Sequence, residues 1–316
     1  MKIQNSISLV FFAVFTFSCV QLNENLDTNE VTPSIPLSTS LPINSSTPAA
    51  TFTPIMIPTL PNDEAGIALL KILSTNGNCK LPCLWGIIPI KSTFQEARTI
   101  LTPFSVLSGS VFLDSPAHGS ISPRYREGDL EIYTSIKFRT NPENAIVNHI
   151  TFYAEAHKPL ADGGYENVFD SSFFSEKVSA YKLSHVLSEQ GVPESALLST
   201  SGGPLTRGGT GGFEIVLLYP TQGVFVHYTT QMYIIGKNVR GCLQNAHVKM
   251  DLFPMEDVDN FLFQIETATE WLYISDGFKP LEETTSMSVD EFYNIFSHPT
   301  DNCIETPANL WPIPEP

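Results

Sequence analysis

The chain has 316 residues, 42% of them hydrophobic, with 17 Lys and Arg against 33 Asp and Glu and a net charge of −16. So acidic a chain argues against nucleic acid and anionic membrane surfaces as partners. Its length suits one large domain or two small ones, and its apolar share is enough for a packed core.

The N-terminus sets the compartment. Lys2 gives a short positive start, and Ile7 to Phe17 form an eleven-residue apolar run. A bilayer-spanning helix needs about 20 such residues. This run instead has the length of a signal-peptide core, predicting a signal peptide over residues 1–18. Ser18 then precedes Cys19. That junction resembles the lipobox of bacterial lipoproteins, which implies cleavage before Cys19 and a lipid on its sulfur. Thr16 and Phe17 stand where the lipobox carries Leu and a small residue. An ordinary signal peptide cut nearby, giving a secreted protein, is the alternative.

Between residues 21 and 62 lie seven prolines among Ser, Thr and Asn, with no Gly, Lys or Arg. Such a segment cannot bury enough apolar surface to offset its ordering entropy. Residues 19–62 are therefore expected to be a disordered Pro/Ser/Thr-rich tether, extended at about 3 Å per residue. Asn44-Ser45-Ser46 fits a glycosylation sequon, which carries little weight in a bacterial lipoprotein.

Five cysteines are present: Cys19, Cys79, Cys83, Cys242 and Cys303. With Cys19 assigned to the lipid, four remain, which allow three pairings in an oxidising compartment. Cys79–Cys83 with Cys242–Cys303 is the favoured set. The first closes a tiny loop, worth about 2 kcal/mol on the chain-entropy model, and the second about 60 residues, worth about 4 kcal/mol. Zinc would need two further ligands. The histidines at 118, 149, 157, 185, 227, 247 and 298 are scattered, with no HExxH, so no metal or cofactor is assigned. The spacing of Cys79 and Cys83 also resembles that of the copper-handling Sco-like proteins, whose parallel sheet has little support here.

The folded part is expected from residue 63, as two α+β units, 63–170 and 171–316. Residues 63–75 form an amphipathic helix with Ile67, Leu70 and Leu73 on its inner face, stopped by Gly77. Ser92 with Gln95, or Thr93 with Glu96, caps a second helix carrying Phe94, Ala97, Ile100 and Leu101. Residues 130–140 alternate, with Leu130, Ile132, Ile136 and Phe138 on one face. After a turn at 141–144, a returning strand carries Ile146, Ile150 and Phe152.

The order then recurs. A helix with Val186 and Leu187 inward ends at Gly191 and Pro193. A Gly-rich loop at 201–212 is placed between that helix and a strand, the reverse of a phosphate-binding loop. Residues 213–220 and 224–230 make a hairpin around Thr221 to Gly223. Residues 246–253 form another strand, and Ser288 with Glu291 caps a last helix with Phe292, Ile295 and Phe296 inward.

Leu183, Ser184, Val186, Leu187, Gly191 and Pro193 resemble the wording of the BamE/SmpA small envelope lipoproteins. The tandem helix-plus-hairpin order looks like the beta-lactamase-inhibitor protein. Cys79, Pro82, Cys83, Trp85, Gly86, Ile87 and Pro89, followed by Thr93, Glu96 and Ala97 and a final Cys303 near Leu310 to Pro312, resemble lipoproteins of Chloroflexota type. Ile90 departs from that last wording, which has Gly there. The first two resemblances imply tandem units with antiparallel sheets that bind other proteins, and the last implies no known activity.

Residues 251–316 hold fourteen Asp or Glu and one Lys, Lys279. Glu256, Asp257 and Asp259 cluster there without a calcium-loop pattern, so a solvated acidic face is expected. No G-x-S-x-G, S-x-x-K or Walker loop occurs. Trp85, Trp271 and Trp311 are expected as buried anchors, Trp85 against the disulfide. His149, His185 and His227 are expected on the surface or satisfied in the core. The expected function is a non-enzymatic protein-binding or scaffold lipoprotein, anchored through Cys19 and meeting an envelope protein. The alternative is a thiol-redox or copper-handling protein using Cys79 and Cys83.

Overall fold

The computed structural model describes residues 59–201, 212–254 and 277–311. The signal segment, Cys19 and most of the tether lie outside them, as do the Gly-rich loop, the 256–259 acids and Trp271. Among the described residues no helix is long and apolar enough to cross a membrane.

The fold is α+β, built on one twelve-stranded antiparallel sheet. Helices α1 (Asn62–Thr75) and α2 (Phe94–Leu101) precede strands β1 (Ser108–Ser115), β2 (His118–Glu127), β3 (Leu130–Thr140) and β4 (Val147–Pro159). These four make a meander, with short β5 (Tyr165–Asn167) beside the end of β4. Helices α3 (Ser172–Lys177) and α4 (Leu183–Gln190) then precede β6 (Ser195–Ser201), β7 (Gly212–Tyr219) and β8 (Val224–Ile235). Strands β9 (Asn238–Gly241) and β10 (His247–Leu252) follow, then β11 (Lys279–Pro280), α5 (Leu281–Thr284), α6 (Val289–Phe296) and β12 (Ile304–Pro307).

The spatial order is β1-β2-β3-β4-β10-β8-β7-β6-β11. The two halves of the chain therefore meet where β10 pairs with β4, from Val248 opposite Ala154 to Leu252 opposite Ile150. They share one sheet and one hydrophobic core, which runs from Leu69 to Trp311. The far end of β8 leaves the sheet to pair with β9, and β9 pairs with β12.

Local sequence accounts for much of this. Thr93 accepts the Glu96 N–H and Glu96 accepts the Thr93 N–H, so the second capping box forms and α2 starts at Phe94. The Ser92 hydroxyl instead accepts from the Ile88 N–H at 3.0 Å, so the Ser92–Gln95 box does not form. Ser288 and Glu291 make the same reciprocal pair at α6. The inner face of α1 differs from the expected one. Ala65, Leu69 and Leu73 are buried, four residues apart, while Ile67 is 69% exposed. Ile67 points away because the stripe through Ala65 and Leu69 is the one that meets the core.

Two sequence expectations are corrected by the strands. The Gly-rich segment does not run from helix to strand: β6 intervenes, and Ser201 pairs with Gly212, so the segment links two antiparallel neighbours. Each half also has more strands than one hairpin. β1 and β2 were not anticipated, because Gly109, Gly119 and Pro123 interrupt any clean alternation there.

Candidate functional site

Three regions are candidate sites. The first is the cysteine loop. Cys79 and Cys83 are bonded, as are Cys242 and Cys303. The loop between α1 and α2 uses six residues with left-handed φ: Asn76, Gly77, Asn78, Trp85, Gly86 and Ile90. Asn and Gly tolerate that region well, whereas Trp85, at φ 56°, needs support.

Asn76 supplies it. Its buried side-chain amide donates to the carbonyls of Cys79 and Cys83, each at 2.8 Å. Its carbonyl oxygen accepts the Trp85 N–H at 3.1 Å and the Tyr181 hydroxyl at 2.9 Å. That hydroxyl accepts in turn from the Trp85 indole N–H at 2.8 Å. Burial pushes the Tyr181 hydroxyl well above the usual phenol range, so it stays protonated. The Trp85 ring lies edge-on to Phe104 and Phe152, at 5.5 and 6.2 Å. Ile90 itself takes the left-handed φ, 61°, that a glycine would have been expected to supply.

The second constellation lies at the seam between the halves. Asp251 on β10 is fully buried. Its Oδ1 accepts from the Thr151 hydroxyl at 2.6 Å and lies 3.0 Å from His149 Nε2. Lys249 Nζ is 3.9 Å from its Oδ2, which has no hydrogen-bond partner among the described residues. Phe253 stacks on the His149 ring at 4.6 Å. Farther along, His247 Nε2 sits 3.2 Å from both the Ala156 N–H and the Val168 carbonyl. Burial lowers His247 to about 4. Glu155 lies 2.5 Å from His157, which is stacked between Tyr133 and Tyr165.

The third is the sheet face away from the helices. Over the second half this face carries an apolar cluster of Val216, Leu218, Phe225 and Phe253, with His227 and Glu214 beside it. Over β2, β3 and β4 it is polar and open, carrying Arg124, Tyr133, Lys137, Arg139, Thr151 and Tyr153. On the helix side of the sheet, Phe174, Tyr181, Leu183, Leu243 and Val248 line a hollow of only about 10 Å³, room for about one water molecule.

The structure brings Cys79 to Cys83 and Cys242 to Cys303, and Cys19 lies outside the described residues. Trp85 and Trp311 are buried, and the Trp311 indole N–H donates to Thr306 at 3.1 Å. His149 is buried against Asp251, His227 lies 3.0 Å from Glu214, and His185 is exposed. Sequence reasoning passed over Asn76, Tyr181 and Asp251. An Asn just before a Gly at a helix end signals a left-handed cap, but nothing local points it at Tyr181. Comparison with family models, curated proteins and solved structures finds no match to this chain.

Proposed function

We propose that this chain is an extracytoplasmic lipoprotein, anchored through a lipid on Cys19, that acts as a non-enzymatic protein-binding or scaffold module at the cell envelope. The observation carrying this reading is the open sheet face over β2, β3 and β4. It is broad, rigidly backed by the core, and presents Tyr and Arg side chains, the types enriched at protein interfaces. Two disulfides suit an oxidising compartment.

The alternative gives Cys79 and Cys83 a thiol-redox or copper-handling role. In its favour Cys79 is only half buried. Against it, the Asn76 side-chain amide grips the backbone carbonyls of both cysteines and fixes the loop around them. Among the described residues no group of three or more His, Cys, Asp or Glu is arranged to hold a metal.

The test is photo-crosslinking on intact cells, with a photoreactive residue in place of Tyr133 or Arg139 in the full chain. The reading expects discrete crosslinked partners that disappear when Cys19→Ala releases the protein from the envelope. Failure to crosslink from any position on this face would overturn it.

A further inference from the structure

The alternation of β-strands sorts charge onto one side of this sheet. Arg124 and Arg126 of β2, Lys137 and Arg139 of β3, and Lys249 of β10 share the open face. The register places Arg124 beside Tyr133, Lys137 between Ser120 and Thr151, Arg139 between His118 and His149, and Lys249 beside Tyr153. The same face holds Glu131, Glu155 and Asp251 beside these cations, and Glu214 farther off on β7.

Glu214 lies 3.0 Å from His227 with its side chain 14% exposed, and the three acids beside the cations are withdrawn as well. Glu131, with its side chain only 13% exposed, lies 3.3 Å from Arg124. Glu155 is buried, accepts the Tyr153 hydroxyl and contacts His157. Asp251 is fully buried against Thr151 and His149. Lys137 and Arg139 are exposed, and among the described residues neither makes an ion pair. A chain of net charge −16 thus presents an uncancelled cationic patch.

We propose that this face docks an acidic, extended segment of a protein partner. The inference rests on the binding-module reading and names the chemistry of what is bound. Lys137 and Arg139 are two residues apart on one strand, a spacing of about 6.8 Å. Alternate side chains of an extended peptide repeat at that same spacing. The Ser120 hydroxyl, opposite Lys137, is placed to donate to a carboxylate there, whereas the Thr151 and Ser122 hydroxyls already donate to Asp251 and Ser135.

Lys249 is held below its ordinary value, first by burial and then by the like charge of Lys137, with Asp251 opposing. An incoming carboxylate relieves that repulsion. At the end of the rows, exposed Phe112 stacks on His118 at 4.7 Å and gives the segment an apolar stop. A flat anionic bilayer is disfavoured as the occupant, because it meets the repulsion of the whole acidic molecule. A thin segment senses mainly charges within a Debye length of about 8 Å.

The experiment is fluorescence anisotropy on the full-length protein with a labelled peptide of alternating Glu and Ser. The proposal expects saturable binding that weakens as salt rises. Lys137→Glu with Arg139→Glu is expected to weaken it roughly tenfold or more. Lys137→Gln with Arg139→Gln does so more gently and carries the test if the reversal perturbs folding. Lys71→Glu with Lys91→Glu changes the net charge equally but lies off this face, and leaves binding within about twofold.

Absent binding, or equal losses in the Lys71/Lys91 variant, overturns the proposal. So does transfer of the same residue dependence to phosphatidylglycerol vesicles or inorganic phosphate with no peptide binding. Cellular crosslinks without peptide binding remove this inference and leave the binding-module reading. Peptide binding without any cellular crosslink strikes that reading, and this inference with it.

Discussion

The Trp85 indole N–H donates to the Tyr181 hydroxyl at 2.8 Å, joining residues 96 apart in the chain. That bond ties the cysteine loop of the first half to the segment that opens the second. The same hydroxyl donates to Asn76, whose amide holds the backbone of both Cys79 and Cys83. The loop is therefore secured by a buried polar network as well as by its disulfide, and buried networks of this kind are costly to leave half-satisfied.

Tyr181→Phe removes one hydroxyl that serves two partners. The expected loss is about 1–3 kcal/mol, since it strands the Trp85 indole N–H. Asn76→Gly keeps the left-handed backbone but removes four hydrogen bonds, so it is expected to cost more than Tyr181→Phe. Denaturant unfolding of both variants checks the order.

Asp251→Ala takes the carboxylate away from Thr151, His149 and Lys249 at the seam between the halves. The expected cost is about 3–5 kcal/mol, as for a buried pair that loses one partner. Thr151→Val removes the hydroxyl that donates to Asp251 and lies 3.3 Å from His149 Nε2, and is expected to cost about 1–3 kcal/mol. A double-mutant cycle between Thr151 and Asp251 is expected to show coupling, because the two share one oxygen.

His247 makes stability depend on pH. Burial depresses it to about 4, from an ordinary value of 6.5. Between those values the unfolded chain binds a proton that the folded chain refuses. Stability is therefore flat above about pH 6.5 and falls as pH drops toward 4, by about 3 kcal/mol in all. His247→Gln is expected to flatten that slope, measured as the unfolding midpoint across the window.

The two disulfides are expected to differ in worth. Cys242 and Cys303 are 61 residues apart and flank the pairing of β9 with β12. On the chain-entropy model, Cys242→Ala with Cys303→Ala costs about 4 kcal/mol, and the matching change at Cys79 and Cys83 about 2 kcal/mol. Thermal midpoints of the two double variants give the comparison.

What was legible in the sequence was what is local. The Thr93–Glu96 and Ser288–Glu291 boxes lie within one turn of helix, and both formed. β3, β7 and β10 announced themselves because one or both of their faces are buried. β1 did not: it is an edge strand, exposed at Gly109 to Phe112 on both faces, so no alternation is imposed on it. Short β6 carries small polar residues and gave no signal either.

The polar seam was beyond reach for a different reason. His149 and Thr151, like Lys249 and Asp251, are spaced two apart, which puts each pair on one face. That β4 would lie against β10 across a hundred residues is a matter of topology, and no local pattern states it. The open cationic face is visible only once the register shows which acids are buried.

The non-enzymatic reading expects the paired cysteines to hold the fold and take no part in redox chemistry. Its most direct test is the reduction potential of the full-length protein, with mass mapping of the thiols as they are released. The account predicts that Cys79 and Cys83 stay joined until below about −300 mV, as structural disulfides do. Release of these two thiols near −200 mV, in the range of catalytic and regulatory pairs, would contradict it and bring the thiol-redox reading to the front.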